Sequence, residues 1–157
     1  MPYAWKRFAK NNAMTHVTPA RRKHAKQKYR VLCVDDNKFV LFVNTAILRN
    51  EGYDVLSCSD AVKAAAVANS EKLDVAVLDY DMPVMDGAEL ASVCKAANPD
   101  IKVIMYSGNV EKPNLAVAFV DLFIPKADGV GALLEGIAAL LLTDASLTAV
   151  APIATSE

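Results

Sequence analysis

The sequence predicts an α/β domain: a parallel sheet of five short strands with helices on both faces. Two observations carry that prediction. Short continuous apolar runs bounded by turn residues recur along the chain, and such runs are strands buried on both faces. Stretches of helical length separate them, and alternation of this kind builds a parallel sheet with covering helices. A chain of 157 residues, 54% of them hydrophobic, is long enough to bury one proper core.

Tyr29 to Val34 is an apolar run that stops at Asp35-Asp36. A helix is predicted near 37–51, closed by Gly52. On a 3.6-residue wheel Phe39, Val40, Val43 and Ile47 share one face, which is expected to pack on the sheet, while Leu41 and Phe42 point away. A short strand and a helix near 60–70 follow. Val75 to Gly87 then reads V-A-V-L-D-Y-D-M-P-V-M-D-G, a strand running straight into Asp79 and Asp81. Asp86-Gly87 is a turn opening a helix near 86–98. Ile101 to Tyr106 is a strand ending at Ser107, and Val120 to Ile124 is one followed by Pro125 and Lys126. Helices near 111–119, with Pro113 in its opening turn, and 129–142 complete the pattern.

In open parallel sheets ligands sit beyond the carboxyl ends of the strands. Here those ends offer carboxylates (Asp35, Asp36, Asp79), a hydroxyl (Ser107) and an ammonium (Lys126). Clustered carboxylates repel one another unless a cation joins them. Oxygen ligands suit a hard cation, and Mg²⁺ takes one or two carboxylates with waters and phosphate oxygens. The set suits phosphoryl transfer, with one carboxylate able to attack. Each residue also has a plainer reading: Asp35-Asp36 as a solvated helix start, Ser107 as a turn residue, Lys126 as a surface charge.

The segment from about 30 to 142 resembles the receiver domain of bacterial two-component response regulators. The resemblance rests on V-D-D at 34–36, D-x-D-M-P-x-M-D-G at 79–87, Y-S-G at 106–108 and Lys126, in order and each at a predicted strand end. It implies a flavodoxin-like sheet of order 2-1-3-4-5. It implies that Asp79 accepts a phosphoryl group from the phosphohistidine of a sensor kinase or phosphotransfer protein. Asp36 and Asp79 would bind Mg²⁺ directly, with the backbone carbonyl of Asp81 as third ligand and Asp35 acting through water. Ser107 and Lys126 would hold phosphoryl oxygens, and Phe123 stands where the family carries its aromatic switch residue. Leu41 and Phe42, beside the acidic pocket, are the expected docking spot for the phosphodonor.

Three features depart from the family pattern. Ala127 follows the Lys where the family usually has a proline in a cis bond, so a trans bond is expected. Ser107 and Lys126 are only 19 positions apart, which shortens the helix between them. Phe123 lacks the hydroxyl of a tyrosine switch.

Two other classes compete. A haloacid-dehalogenase-like phosphohydrolase also uses a strand-end D-x-D, as in Asp79-Tyr80-Asp81, but places its acidic pair after the Lys. A degenerate receiver would bind partners without being phosphorylated; the retained carboxylates, Ser107 and Lys126 speak against it, and Ala127 keeps it open. The resembling reading is a phosphoacceptor that catalyses its own phosphorylation and dephosphorylation and not a turnover enzyme.

Charge divides the chain. Residues 1–30 hold nine Lys/Arg and no acid, whereas 31–157 hold eight Lys/Arg and eighteen Asp/Glu, giving +9 against −10. Residues 1–29 are expected to form a basic, disordered extension, able in principle to touch nucleic acid or an anionic membrane, with Met14 as a later start. Tyr3, Trp5 and Phe8 among its cations loosely fit a short interfacial helix. Residues 143–157 are expected to form a frayed tail. Only 31 residues follow Lys126, too few for an output domain, so a stand-alone receiver signalling to another protein is expected. Cys33, Cys58 and Cys94 are odd in number and widely spaced, and read as reduced core residues of a cytoplasmic protein. No apolar run is long enough to span a membrane, and the first 30 residues hold no secretory signal.

Overall fold

The structure, a computed structural model, describes residues 28–108 and 118–147, with side chains to residue 142. Residues 111–117 of the predicted helix near 111–119, residues 1–27 of the basic extension and residues 148–157 of the tail lie outside the described residues.

Five strands and four helices alternate: β1 (Arg30–Val34), α1 (Lys38–Asn50), β2 (Asp54–Cys58), α2 (Ala61–Ser70), β3 (Val75–Leu78), α3 (Gly87–Ala97), β4 (Lys102–Ser107), β5 (Leu122–Pro125) and α4 (Gly129–Leu147). A 3₁₀ turn, Lys126–Asp128, joins β5 to α4. The sheet is wholly parallel, in the order β2-β1-β3-β4-β5. That is the order the resemblance implied.

Alternating side chains sort the strands' residues into two cores. Leu32, Val34, Ala76, Leu78, Val103 and Met105 face α2 and α3, which meet them with Ala61, Ala64, Leu90 and Cys94. Val31, Cys33, Val75, Val77, Ile104 and Ile124 face α1 and α4, which contribute Leu41, Leu48, Leu133 and Ile137. Cys33 and Cys94 are buried and Cys58 is half-buried, all as free thiols. All four residues of β3 are buried, as its unbroken apolar run requires.

The face of α1 differs from expectation. Leu41, Asn44, Thr45 and Leu48 are buried, whereas Phe39 is 75% and Phe42 71% exposed. The inward stripe therefore runs through positions 41, 44, 45 and 48. Two of its members are polar, and that hides it from a count of apolar residues. Leu41 accordingly belongs to the core and is withdrawn as a docking residue; Phe42 stays outside, joined by Phe39.

Helix boundaries follow local chemistry. Asn37 caps α1, its side chain accepting from the amides of Phe39 and Val40, and Asp60 caps α2. Gly52, at φ +97°, lies just past α1 and takes the left-handed conformation that a helix end favours. The final helix runs five residues beyond the predicted end at 142, because Asp144-Ala145-Ser146-Leu147 contains no breaker before Pro152. The register sets Val34 beside Leu78, Leu78 beside Met105 and Ser107 beside Pro125. Asp35, Asp79, Ser107 and Lys126 consequently emerge along one edge of the sheet.

Candidate functional site

Each residue at that edge is held by the strand that delivers it. The amide of Asp79 donates to the Val34 carbonyl at 2.9 Å, extending the β1–β3 pairing by one step. Asp35 is 2% exposed and Asp79 6%, while Asp36 is exposed. A buried carboxylate is costly unless charged or hydrogen-bonding partners surround it. Both have such partners. Lys126 Nζ lies 2.7 Å from Asp35 Oδ2 and 3.1 Å from Asp79 Oδ1. The amide of Asn37 donates to Asp35 Oδ1 and that of Tyr80 to Asp79 Oδ1, each at 2.9 Å.

One oxygen from each of Asp35, Asp36 and Asp79 lies within 4.8 Å of the others. Three carboxylates meet a single ammonium, so the cluster keeps an excess of negative charge that a divalent cation would balance. Donor type and spacing both fit Mg²⁺. Asp81, exposed and two residues beyond Asp79, adds no carboxylate to this cluster.

Electrostatics follow from burial. The Asp79 carboxyl titrates above its usual range, chiefly because burial disfavours the anion; Lys126 works against that shift. For Lys126, burial lowers the ammonium's affinity for its proton, but the hydrogen bond to Asp35 and the nearby charge of Asp79 outweigh it, and the net shift is upward.

The loop from Tyr80 to Asp86 folds back beneath Asp79. Val84 takes φ +73° and the amide of Met85 donates to the Pro83 carbonyl at 2.8 Å, a γ-turn in its rarer, strained form. A β-branched residue at positive φ costs on the order of 1–3 kcal/mol, and because the Val84 side chain is exposed the loop's backbone hydrogen bonds must hold it. The amide of Gly87 then donates to the Tyr80 carbonyl at 2.9 Å and closes the loop. A Cβ on Gly87 would collide with the backbone oxygen of Asp79 and lie 2.8 Å from Met105 Sδ. Asp86 caps α3 and, with Glu89, completes a capping box.

Ser107, 3% exposed, ends β4, and Phe123 on β5 packs against the core beneath α2 and α3. The Lys126 loop holds no cis bond, in keeping with Ala127, and its lysine still reaches both carboxylates. Of the residues read from the sequence, Asp35, Asp36, Asp79 and Lys126 come together here, and Ser107 ends the adjoining strand. Sequence reasoning did not find the γ-turn or the close approach of Gly87 to the Asp79 backbone. The turn has a weak signal in Met-Pro-Val-Met; the close approach has none beyond the glycine itself.

A family model described as the response regulator receiver domain matches residues 31–137. Transcriptional regulatory protein PrrA of Mycobacterium tuberculosis is 36% identical over 78 residues, 50% of this chain and 34% of PrrA. The chain thus spans about a third of the length of that relative. Among solved structures, a CheY-like receiver domain protein from Methanospirillum hungatei superposes with a TM-score of 0.70 at 30% identity, covering 76% of this chain and 98% of that one. The response regulator TrrA of Thermotoga maritima, solved in complex with Mg(2+)-BeF, does so at 0.67 and 25% identity, covering 71% and 98%.

Proposed function

Because this chain belongs to the response regulator receiver domain family, we propose that Asp79 is its phosphoacceptor, Asp36 and Asp79 its direct Mg²⁺ ligands, and Lys126 the cation that steadies the transferred group. One observation carries the reading: Lys126 Nζ spans Asp35 and Asp79 at the strand ends, at 2.7 and 3.1 Å. An ammonium so placed can leave Asp79 and follow an incoming phosphoryl oxygen without changing strands.

Both contacts to Asp79 fall on Oδ1, which leaves Oδ2 as the attacking oxygen. Oδ2 forms the new O–P bond as the P–N bond of a phosphohistidine breaks. The bonding pair stays on the imidazole nitrogen, which takes a proton from solvent. Asp36, Asp79 and the Asp81 carbonyl would hold Mg²⁺, with Asp35 acting through water, and the ion when bound would neutralise charge on the phosphoryl oxygens. The three clustered carboxylates support a Mg²⁺ site at this place, as does the Mg(2+)-BeF complex of TrrA. Ser107 donates its hydroxyl to a phosphoryl oxygen, and Phe123, one strand over, turns with it. Attack of water on phosphorus later breaks the O–P bond and restores the carboxylate.

Partners follow from the chemistry. Receiver domains take their phosphoryl group from histidine kinases or phosphotransfer proteins, and the exposed Phe39 and Phe42, on the first turns of α1 beside the carboxylates, offer an apolar landing for such a donor. We place this signalling in the cytoplasm, passed on by contact with another protein. Among the described residues no helix is long and apolar enough to cross a membrane. The phosphohydrolase reading is not favoured: its acidic pair would follow the lysine, and here Asp35-Asp36 precede it.

Incubation with a small phosphodonor and Mg²⁺, read by intact mass and peptide mapping, tests the proposal. The wild type should gain one phosphoryl group on Asp79, and Asp79→Asn should gain none while keeping its fold. Label on Ser107 or on a histidine would overturn the assignment.

A further inference from the structure

At the end of the sheet away from the carboxylates lies a groove of about 530 Å³. Its walls are Tyr29 and Tyr53, just ahead of β1 and β2, and Leu141 and Leu142 on the last turns of the described α4 side chains. Glu51 and Lys28 stand among its lining residues. Leu142 is 67% exposed, although the opposite face of the same helix is core. Nothing in the phosphoryl chemistry uses this place.

We propose that the groove is filled by the chain's own N-terminal segment, through the aromatic stretch Tyr3, Trp5 and Phe8. Three observations select that occupant. First, Lys28 is both a lining residue and the point at which residues 1–27 join the domain, so the segment is tethered at the groove itself. Nineteen residues, 9–27, separate Phe8 from Lys28. Such a linker spans roughly 60 Å when extended and on the order of 25 Å as a coil, so it reaches back without strain. A tether of this kind gives an effective concentration of roughly millimolar, so even weak docking is substantially populated.

Second, the chemistry matches. The walls are aromatic and aliphatic, and aromatic side chains carry the largest apolar area for each residue ordered, about 150–250 Å². Tyr3, Trp5 and Phe8 concentrate three of them in six positions. Third, the charges are complementary. Residues 1–27 carry seven Lys/Arg and no acid, against the −10 of residues 31–157. Lys6 and Arg7, next to Trp5, would meet Glu51 at the groove. A segment that is both basic and aromatic thus finds its counterpart in an apolar groove that offers Glu51, beside Lys28, on a domain of opposite net charge.

Trp5 is the single tryptophan of the chain, so its emission reports on the segment alone. In the full chain at low micromolar concentration, Trp5 should emit to the blue of free N-acetyl-tryptophanamide and be several-fold less open to acrylamide quenching. Leu142→Asp, at a position already exposed, and Glu51→Lys should each move emission to the red and raise quenching towards the free value. Circular dichroism of both variants checks that the fold is unchanged. Wild-type Trp5 as quenchable as the free compound would overturn the proposal. So would protection that survives Leu142→Asp, which places the segment elsewhere. Protection that disappears on dilution would overturn it too, by assigning the groove to the segment of a second copy. Because none of these readouts involves phosphorylation, the proposal stands or falls separately from the role of Asp79.

Discussion

Asp35 and Asp36 are neighbours in sequence with opposite circumstances. Asp35 is buried and already engaged by Lys126 at 2.7 Å and by the Asn37 amide at 2.9 Å, whereas Asp36 faces solvent with its oxygens open to a cation. Asp36→Ala is therefore expected to weaken Mg²⁺ binding more than Asp35→Ala does, while Asp35→Ala strips Lys126 of its shorter ion pair. Calorimetric Mg²⁺ titration of both variants checks this; equal or reversed losses would overturn the assignment of the direct ligand. Gly87 acts on the same site from behind. A methyl group there must displace the Asp79 backbone or Met105, so Gly87→Ala should cost about 1–3 kcal/mol in urea melts and lower the yield of acyl phosphate in the same protein. Unchanged stability and yield would show that the loop gives way cheaply. The difference between these residues also explains what could be read in advance. Asp79 and Lys126 stand at the ends of apolar runs, and a strand end is a local pattern. The need for glycine at 87 is created by Met105 and Asp79, one of them eighteen positions away, and no local pattern contains it.

At the scale of the element, α1 shows where periodicity misleads. Its strongest apolar residues, Phe39 and Phe42, lie outside, and its inward stripe includes Asn44 and Thr45. A wheel weighs residues by their chemistry, but the helix's phase is set by what the sheet can accommodate, and here it buries the Thr45 hydroxyl with no hydrogen-bond partner among the described residues. The strands suffered no such error, since a run buried on both faces has no phase to misjudge. Two consequences are measurable. Leu41→Ala should destabilise the domain by about 2–4 kcal/mol, as core leucine truncations do, while Phe42→Ala should stay within about 0.5 kcal/mol, as exposed changes do. Equal losses would restore the discarded phase. The outward pair has a separate role to test: Phe39→Ala with Phe42→Ala should slow transfer from a phosphorylated donor protein and leave phosphorylation by a small phosphodonor unchanged. An equal effect on both would move the pair from docking to the site itself.

Taken over the whole molecule, the three thiols and three of the phenols share one sign. Burial is the main cause in each case: it lifts Cys33 to about 12 and Cys94 to about 11 from an ordinary 9.0, and raises Cys58, Tyr53, Tyr80 and Tyr106 as well. An acid whose value is higher in the folded state holds its proton there longer than in the unfolded chain. Its contribution to stability is complete below the unfolded value and is lost as pH rises towards the folded one. The fold is therefore expected to weaken on the alkaline side, beginning near 9. Cys94 isolates one part of that loss, because it is packed among Leu90, Ala91 and Val103 and lies away from the carboxylates. Cys94→Ala removes the thiol at the modest cost of a sulfur-sized void. Between about 9 and about 11 the wild type should lose stability relative to this variant by about 1.4 kcal/mol for each pH unit. Urea melts of both proteins across that window measure the difference directly, and the cost of the void cancels because it does not depend on pH. A gap that stays constant through the window would mean that the Cys94 thiol ionises alike in the folded and unfolded chain, and that its burial between the sheet and α3 is too transient to hold the proton.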